Sequence, residues 1–235
     1  MMAGVPDELR RIEKDLLAPA WRRRTEAEHR WPVAIAIIVL ITLQWVLPDR
    51  LTAGPRWMLP AVEIALAVVL VAANPVRMRR DTTVLRMIAL GLIAVASLGT
   101  VWSVAMLVRD IVTGYDTGSA AQLLGTGAGI YLMNVVTFAV WFWELDRGGP
   151  VARSLGTDPY PDLLFPPMTS PDMAHKDWEP RFADYLYVAF TNATAFSPTD
   201  TLPLTRGAKL GMALESAIAL ATAALVIAKA VNALG

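Results

Sequence analysis

The chain contains no cysteine and only two histidines among its 235 residues. Without cysteine, disulfides, iron–sulfur clusters, thiol catalysis and cysteine-ligated zinc are excluded. His29 and His175 both fall outside the apolar runs, so a haem held by paired histidines is not expected. Lysine plus arginine equals aspartate plus glutamate at 21 each. No net positive charge is therefore present to attract nucleic acid, and we predict no nucleic-acid partner.

Apolar residues, by contrast, are abundant and collect in long runs. They make up 55% of the chain, and the mean hydropathy is +0.44. This composition is typical of a multi-pass membrane protein. We predict an all-α fold, a polytopic transmembrane helix bundle of five to six spans in the cell membrane, with the lipid bilayer as its partner. The predicted full spans are residues 31–47, 57–73, 87–108, 120–143 and 210–231.

The apolar runs and the polar segments between them divide the chain into four parts. We expect no cleavable signal peptide, because the first apolar run begins only after a long charged segment. In that segment Val5, Leu9 and Ile12 recur at helical spacing. This spacing fits a helix on the membrane surface or a solvated helix packed on the protein itself. In order, the parts are an amphipathic, basic N-terminal segment (1–30), a four-helix transmembrane bundle (31–145), a proline-rich loop (146–181), and a short helix, proline-broken turn and final transmembrane helix (182–235).

Arginine is concentrated in alternate polar segments. The loops that follow the first and third runs mix both signs, with Asp49 beside Arg50 and Asp110 beside Arg109. Cytoplasmic loops of membrane proteins carry an excess of lysine and arginine. The N-terminus is therefore predicted to be cytoplasmic. The arginines that orient the chain are Arg22, Arg23, Arg24 and Arg30 before the first run, and Arg77, Arg79, Arg80 and Arg86 between the second and third.

Residues 184–200 are more polar than a typical membrane span and more apolar than an ordinary loop. The pattern predicts a short helix, which Ser197-Pro198 breaks because proline lacks a backbone donor. Thr205 is a good N-cap for the long helix that follows. Two topologies remain open: a re-entrant helix beside five spans, or a short, polar sixth span. We slightly favour the sixth span.

Two acidic residues inside predicted spans, Glu63 and Glu215, are candidates for function, because charges at membrane depth are expensive. A structural role is favoured for both. Each would pair with Arg86, with Lys209 or with the other carboxyl, or would reach the headgroups from a helix end. Charged residues nearer the span ends, such as Lys229, are expected to extend to the membrane interface.

Glycines four residues apart predict close helix packing. The sequence GTGAG from Gly125 to Gly129 superficially resembles a phosphate loop. It lacks the preceding strand and the lysine that such a loop needs, so the packing interpretation is favoured. The predicted packing positions are Gly125, Gly129, Gly207 and Gly211.

The end of the chain also carries a resemblance. Residues 184–200 read DYLYVAFTNATAFSPTD, and PLTRGAK (203–209) and ALVIAKAVN (224–232) follow. This stretch resembles the end of an uncharacterised family of bacterial integral membrane proteins. The resemblance covers about the last quarter of the chain. It implies a fold and a bacterial inner-membrane location rather than an activity.

The same stretch is more distantly similar to the pore region of two-helix potassium channels. On that alignment Phe190, Thr191 and Thr194 fall in the pore helix, and residues 194–200 occupy the filter. The filter glycines are absent, and Ser197-Pro198 stands where glycine would let carbonyl oxygens point inward. The channel helix also enters from outside, whereas the arginine pattern places this segment on the cytoplasmic side. The resemblance therefore implies a pore loop with a degenerate filter, without potassium selectivity.

We predict a channel- or transporter-like protein with a path near the last two helices. The alternative is a non-catalytic scaffold or accessory subunit that binds a protein at the N-terminal helix or the proline-rich loop. A homo-oligomer is a candidate assembly. We predict no enzyme, no cofactor and no catalytic or metal-binding residue, because the acids of the proline-rich loop match no such motif. The predicted lining consists of Thr191, Asn192, Thr194, Ser197, Asp200 and Glu215.

Overall fold

Helices form at each of the predicted apolar runs. The computed structural model describes residues 18–78, 82–115, 119–195 and 200–234. The predicted N-terminal helix, the Ser197-Pro198 turn, Arg79 and Arg80 lie outside these ranges. The four helices of the first bundle are α1 (Trp31–Val46), α2 (Met58–Ala73), α3 (Thr83–Val112) and α4 (Ala120–Leu145).

The third helix is longer than the sequence predicts, and its cap explains why. The Thr82 hydroxyl accepts from the backbone N–H of Leu85 at 3.2 Å and starts the helix four residues before the predicted span. A capping box starts α4 in the same way, since Ser119 and Gln122 each accept from the other's backbone N–H.

The proline-rich loop is partly folded and packs against the end of the bundle. It contains α5 (Pro150–Leu155), β1 (Leu163–Leu164) and α6 (Pro166–Thr169). The ring of Phe165 lies 5.3 Å from that of Tyr185, centroid to centroid. This ring contact ties the loop to the start of the helix that carries Tyr185.

Two further helices follow the loop. They are α7 (Phe182–Ala195) and α8 (Arg206–Leu234), with β2 (Leu202–Pro203) between them. β2 pairs antiparallel with β1 of the loop. The predicted cap of the last helix is present, because Ala208 N–H donates to the Thr205 hydroxyl at 3.2 Å.

Residues 18–30 and 146–181 cover the end of the bundle at which α4 finishes. We call this the capped end. The backbone of Thr25 donates to the carbonyl of Ser154 at 2.9 Å, which joins these two segments. Met78 N–H donates to the carbonyl of Glu28 at 3.2 Å and brings in the loop between α2 and α3. The segments that the sequence shows to be rich in arginine therefore meet at one end of the molecule.

The last two long elements, α7 and α8, both begin at this capped end. Tyr185 near the start of α7 bonds Asp146, at 2.6 Å, whereas Thr194 near its end lies 3.1 Å from the Tyr131 hydroxyl, farther back along α4. Along α8, Gly211 lies against Phe142, and Val226 lies against Gly127. Both helices thus run antiparallel to α4 and parallel to each other. β2 also lies at the capped end, where it pairs with β1 of the loop.

Within the described residues, three helices are long and apolar enough to cross a membrane, namely α3, α4 and α8. The helices α1 and α2 are apolar but have 16 residues each. At ~1.5 Å per residue they reach roughly 24 Å, less than the ~30 Å of a hydrocarbon core. The outward faces of the bundle are apolar, with Ile38 61% exposed and Leu98 69% exposed.

Candidate functional site

Polar side chains from α4, α7 and α8 meet inside the bundle and form what we call the polar centre: Asn134, Asn192 and Glu215. The Asn192 amide donates to Glu215 Oε2 at 2.8 Å and to the carbonyl of Met212 at 2.9 Å. The Asn134 amide donates to the backbone carbonyl of Glu215 at 3.1 Å. Glu215 and Asn134 are 0% exposed, and Asn192 is 2% exposed. All three side chains of the centre are therefore buried.

Two acceptors in the polar centre have no donor in the described part of the chain. They are Glu215 Oε1 and Asn134 Oδ1, both fully buried. A buried acceptor without a donor costs on the order of 1–3 kcal/mol, and more when it is charged. Glu215 Oε1 can therefore take up a proton, and both oxygens can accept a hydrogen bond or coordinate a cation.

The other predicted lining residues lie outside the polar centre. The Thr191 hydroxyl donates to the carbonyl of Tyr187 at 2.8 Å, and the Thr194 hydroxyl donates to that of Phe190 at 2.7 Å. Asp200 is exposed near the capped end, and Ser197 lies outside the described residues. Of the six predicted lining residues, the structure brings only Asn192 and Glu215 together.

The two buried carboxyls have amide partners in the structure, and not the arginine, lysine or carboxyl partners that were among the alternatives from the sequence. Glu63, 1% exposed, accepts from the Gln44 amide at 2.8 Å, in the same way that Glu215 accepts from Asn192. Arg86 instead donates to the carbonyl of Gly148 at the capped end. Arg86 lies at the capped end, whereas Glu63 lies near the start of α2 at the opposite end, and each carboxyl bonds a neutral amide from the neighbouring helix.

The predicted glycine contacts are only partly present. Gly211 packs on Phe142, and a Cβ at Gly129 would lie 3.6 Å from Leu47. A Cβ at Gly125 meets no atom within 4 Å, and Gly207 has only the Thr205 hydroxyl near it. The closest approach is at Gly127, between the predicted positions. Assembly through Gly125 or Gly207 in a homo-oligomer stays a prediction.

A groove of about 770 Å³ connects the capped end with the polar centre. It lies between α3, α4 and α8 and reaches from Asp146 and Asp162 to Leu214. Its lining is mostly apolar. The polar side chains along it are Ser97, Thr100, Asn134, Thr137 and Thr205.

Sequence reasoning missed a buried ionic cluster at the capped end. Asp146 accepts from the Tyr185 hydroxyl at 2.6 Å and from Asp162 N–H at 2.8 Å. Glu28 accepts from Trp143 Nε1 and from Phe182 N–H, both at 2.8 Å. Burial raises the pKa of the Asp146 and Glu28 carboxyls above their ordinary values. The cluster thus fastens the start of α7 to both covering segments.

Two buried arginines complete this cluster. Arg153 lies over the Tyr185 ring, 5.0 Å from its centroid, and donates to the carbonyl of Asp146 at 2.9 Å. Arg147 is 1% exposed and adopts a left-handed backbone with φ 52°. Its guanidinium donates to the carbonyls of Trp21 and Asp158. The only sequence signal was the charge-rich run that follows α4.

Tyr185→Phe is expected to lower the free energy of unfolding by about 2 kcal/mol, the size of one hydrogen bond to a charged acceptor. The hydroxyl donates at 2.6 Å to the Asp146 carboxylate, which is 1% exposed. Tyr187→Phe is the matched control, because Tyr187 lies two residues along α7 and is 54% exposed. Denaturant unfolding in detergent micelles measures both. An equal loss in the two variants would contradict the role of Asp146.

Two acids of the proline-rich loop that were considered in the sequence bond to residues of the N-terminal segment. Asp177 pairs with Arg23 at 2.7 Å, Glu179 accepts from the Thr25 hydroxyl at 2.6 Å, and His175 is exposed. Within the described ranges no group of three or more histidine, aspartate or glutamate side chains could hold a metal ion.

The fold and the site together define a helical bundle with membrane-length helices and a buried polar centre. Comparison with known proteins finds no matching family model, no matching curated protein and no matching solved structure. The resemblances to the bacterial family and to the channel pore stay predictions. The function is therefore argued from the geometry alone.

Proposed function

We propose that the protein is a multi-pass membrane transport protein with a cation path beside α7 and α8. The observation that carries this proposal is the polar centre, where Glu215 lies fully buried among groups that bear no positive charge. An ionised carboxylate is strongly disfavoured in an apolar interior unless a proton or cation compensates it. Glu215 is therefore the group at which a cation is held in transit.

The orientation of α7 supports the binding of a cation at the polar centre. Its C-terminal end lies beside the polar centre, since Asn192 bonds both Met212 and Glu215. The C-terminal end of a helix carries partial negative charge and favours cations. Half-helices that end inside the membrane serve this purpose in transporters. The groove from the capped end then gives the cation an approach to Asn134.

We further propose five spans with α7 as a re-entrant helix, in place of the sixth span that the sequence slightly favours. Because α7 and α8 both begin at the capped end, α7 does not carry the chain across. The arginines at the capped end make it the cytoplasmic end. The C-terminus of α8 then lies on the opposite side.

The absence of native cysteine makes this topology directly testable. Ser170→Cys at the capped end is expected to react with a membrane-impermeant maleimide only after the cells are permeabilised. Pro55→Cys and Asn232→Cys, both at exposed positions, are expected to react in intact cells. Protection of Asn232→Cys in intact cells would favour six spans instead.

Glu215→Gln is expected to slow cation movement at least about tenfold, equivalent to about 1.4 kcal/mol in the barrier. The measurement is the flux of protons, sodium and potassium into liposomes that contain the purified protein, under a gradient or a voltage. Asp110→Asn is the matched control, since Asp110 is an equally buried carboxyl, but it pairs with Arg50 at the opposite end. If the wild type moves none of these cations, the proposal fails.

One observation favours the accessory role as the second candidate. Tyr160 and Met173 on the proline-rich loop are 80% and 92% exposed, outside the apolar faces of the spans. A protein partner that binds the proline-rich loop would cover both side chains. Purification in mild detergent would then yield a partner in fixed ratio. Recovery of this chain alone would count against the accessory role.

A further inference from the structure

The polar centre is one end of a larger buried band. On the far side of the bundle Gln44 and Glu63 form a second carboxyl–amide pair, at 2.8 Å. Between the pairs, the hydroxyls of Thr100 and Thr137 lie 3.5 Å apart, and both are 2% exposed. Thr137 lies one turn from Asn134 on α4, so the two share a helix face. We call this set the buried band: Gln44, Glu63, Thr100, Asn134, Thr137, Asn192 and Glu215.

Cavities join the members of the buried band that do not touch. A cavity of about 10 Å³ is lined by Glu63 and Thr137. This is about the space that one water molecule requires. On the other side of Thr137, the 770 Å³ groove is lined by Thr100, Thr137 and Asn134. Thr137 therefore borders two mostly apolar spaces, a small cavity that it shares with Glu63 and the groove that it shares with Asn134.

We propose that the cation of the path is the proton, and that Glu63 is its second carrier beside Glu215. This inference rests on the proposed transport function. A proton moves along the band by exchange of O–H bonds: one carboxyl gives up a proton, each hydroxyl or water accepts one and donates another, and the other carboxyl receives one. No other bond forms or breaks, and the positive charge moves with the proton.

The groups that could bind a cation in the buried band favour a proton over a metal ion. Each carboxyl has one amide as its partner, and the described residues hold no cluster of three acids or histidines. Metal cations need a shell of several oxygens. A hydroxyl both donates and accepts, which suits proton relay. Thr100 already donates to the carbonyl of Ala96 at 3.0 Å, so its lone pairs are free for Thr137.

No other charged group faces the two carboxyls from the helices packed around them. The helix α1 carries no titratable side chain, and α2 carries only Glu63. On the other helices, every titratable side chain except Tyr131 and Glu215 lies within about two turns of a helix end. These outlying groups are Arg86, Arg109 and Asp110 on α3, Glu144 on α4, Asp184, Tyr185 and Tyr187 on α7, and Arg206, Lys209 and Lys229 on α8.

The test uses the full chain in liposomes that enclose a pH-sensitive dye. Wild-type protein is expected to move protons under an imposed voltage. Glu63→Gln is expected to slow this flux at least about tenfold, and Thr137→Val, which removes only the relay hydroxyl, is expected to slow it less. Asp110→Asn is expected to keep the wild-type rate. Size-exclusion chromatography checks that each variant is folded, and Thr137→Val serves alone if Glu63→Gln does not fold.

The possible failures are distinguishable. If Glu215→Gln stops the flux but Glu63→Gln and Thr137→Val do not, the second carrier is disproved and the transport function stands. If sodium or potassium moves and protons do not, proton transport is disproved while a cation path remains. If no cation moves, the proposed function itself fails. As a readout besides flux, the infrared carbonyl band of a protonated carboxyl is expected to weaken in Glu63→Gln, and an unchanged band would count against Glu63.

Discussion

Asn192→Leu is expected to lower the free energy of unfolding by about 3 kcal/mol, because it leaves a buried carboxyl without its partner. The Asn192 amide is the donor to Glu215 Oε2 and also to the carbonyl of Met212. Leucine fills a similar volume, so the loss reports on hydrogen bonding rather than on a cavity. Denaturant unfolding in detergent micelles gives the value.

The double variant separates this partnership from general damage to the core. Asn192→Leu with Glu215→Leu replaces both polar partners with apolar groups, which can be nearly neutral. We therefore expect the double variant to recover at least about half of the loss, a coupling of roughly 1.5 kcal/mol, which is within the range for residues in contact. Simple addition of the two single losses would show that Asn192 and Glu215 do not act as a pair.

Gly127→Ala is expected to destabilise the protein by about 1–3 kcal/mol, the typical effect of overpacking. A Cβ at this position would lie 2.7 Å from both γ-carbons of Val226 and 3.1 Å from its Cβ. Valine in a helix has one strongly preferred rotamer, so its side chain cannot turn away. The α8 backbone must move instead, and the contact between α4 and α8 loosens.

Gly125→Ala is the control on the same helix, and its expected sign is opposite. A Cβ there meets no atom within 4 Å, so alanine should stabilise the helix by about 0.5–1 kcal/mol. Gly127→Ala combined with Val226→Ala should recover part of the loss. If both glycine variants change stability alike, helix propensity rather than close packing decides the effect.

Much of the helical framework could be predicted from the sequence because it depends on local signals. Apolar runs end at turn residues, and Thr205 shows its cap in the residues next to it. The length of α3 was underestimated because hydropathy marks the apolar stretch, whereas Thr82 starts the helix a turn earlier. Local signals thus predict where helices lie better than where they begin.

The candidate site was harder to predict, because rotation about a helix axis decides which groups meet. Gly125, Gly127 and Gly129 look alike in the sequence, but only Gly127 faces α8 closely. The same holds for the partners of Glu63 and Glu215, which are amides brought in from neighbouring helices. The Asp146 cluster depends on contacts with residues more than a hundred positions away, such as the bond between Trp143 and Glu28.

The helices α7 and α8 begin at the same end of the bundle, and this has an evolutionary consequence. An element that enters and leaves on one side does not change the direction in which later segments are threaded through the membrane. In the proposed five-span topology, the length of the segment between Phe182 and Leu202 can therefore change among descendants without inverting α8. A full span at this place would have to be gained or lost together with a second span, because a single extra crossing would invert every later segment. Diversification of this protein is thus expected to be large in this segment at positions other than Asn192, which the polar centre requires.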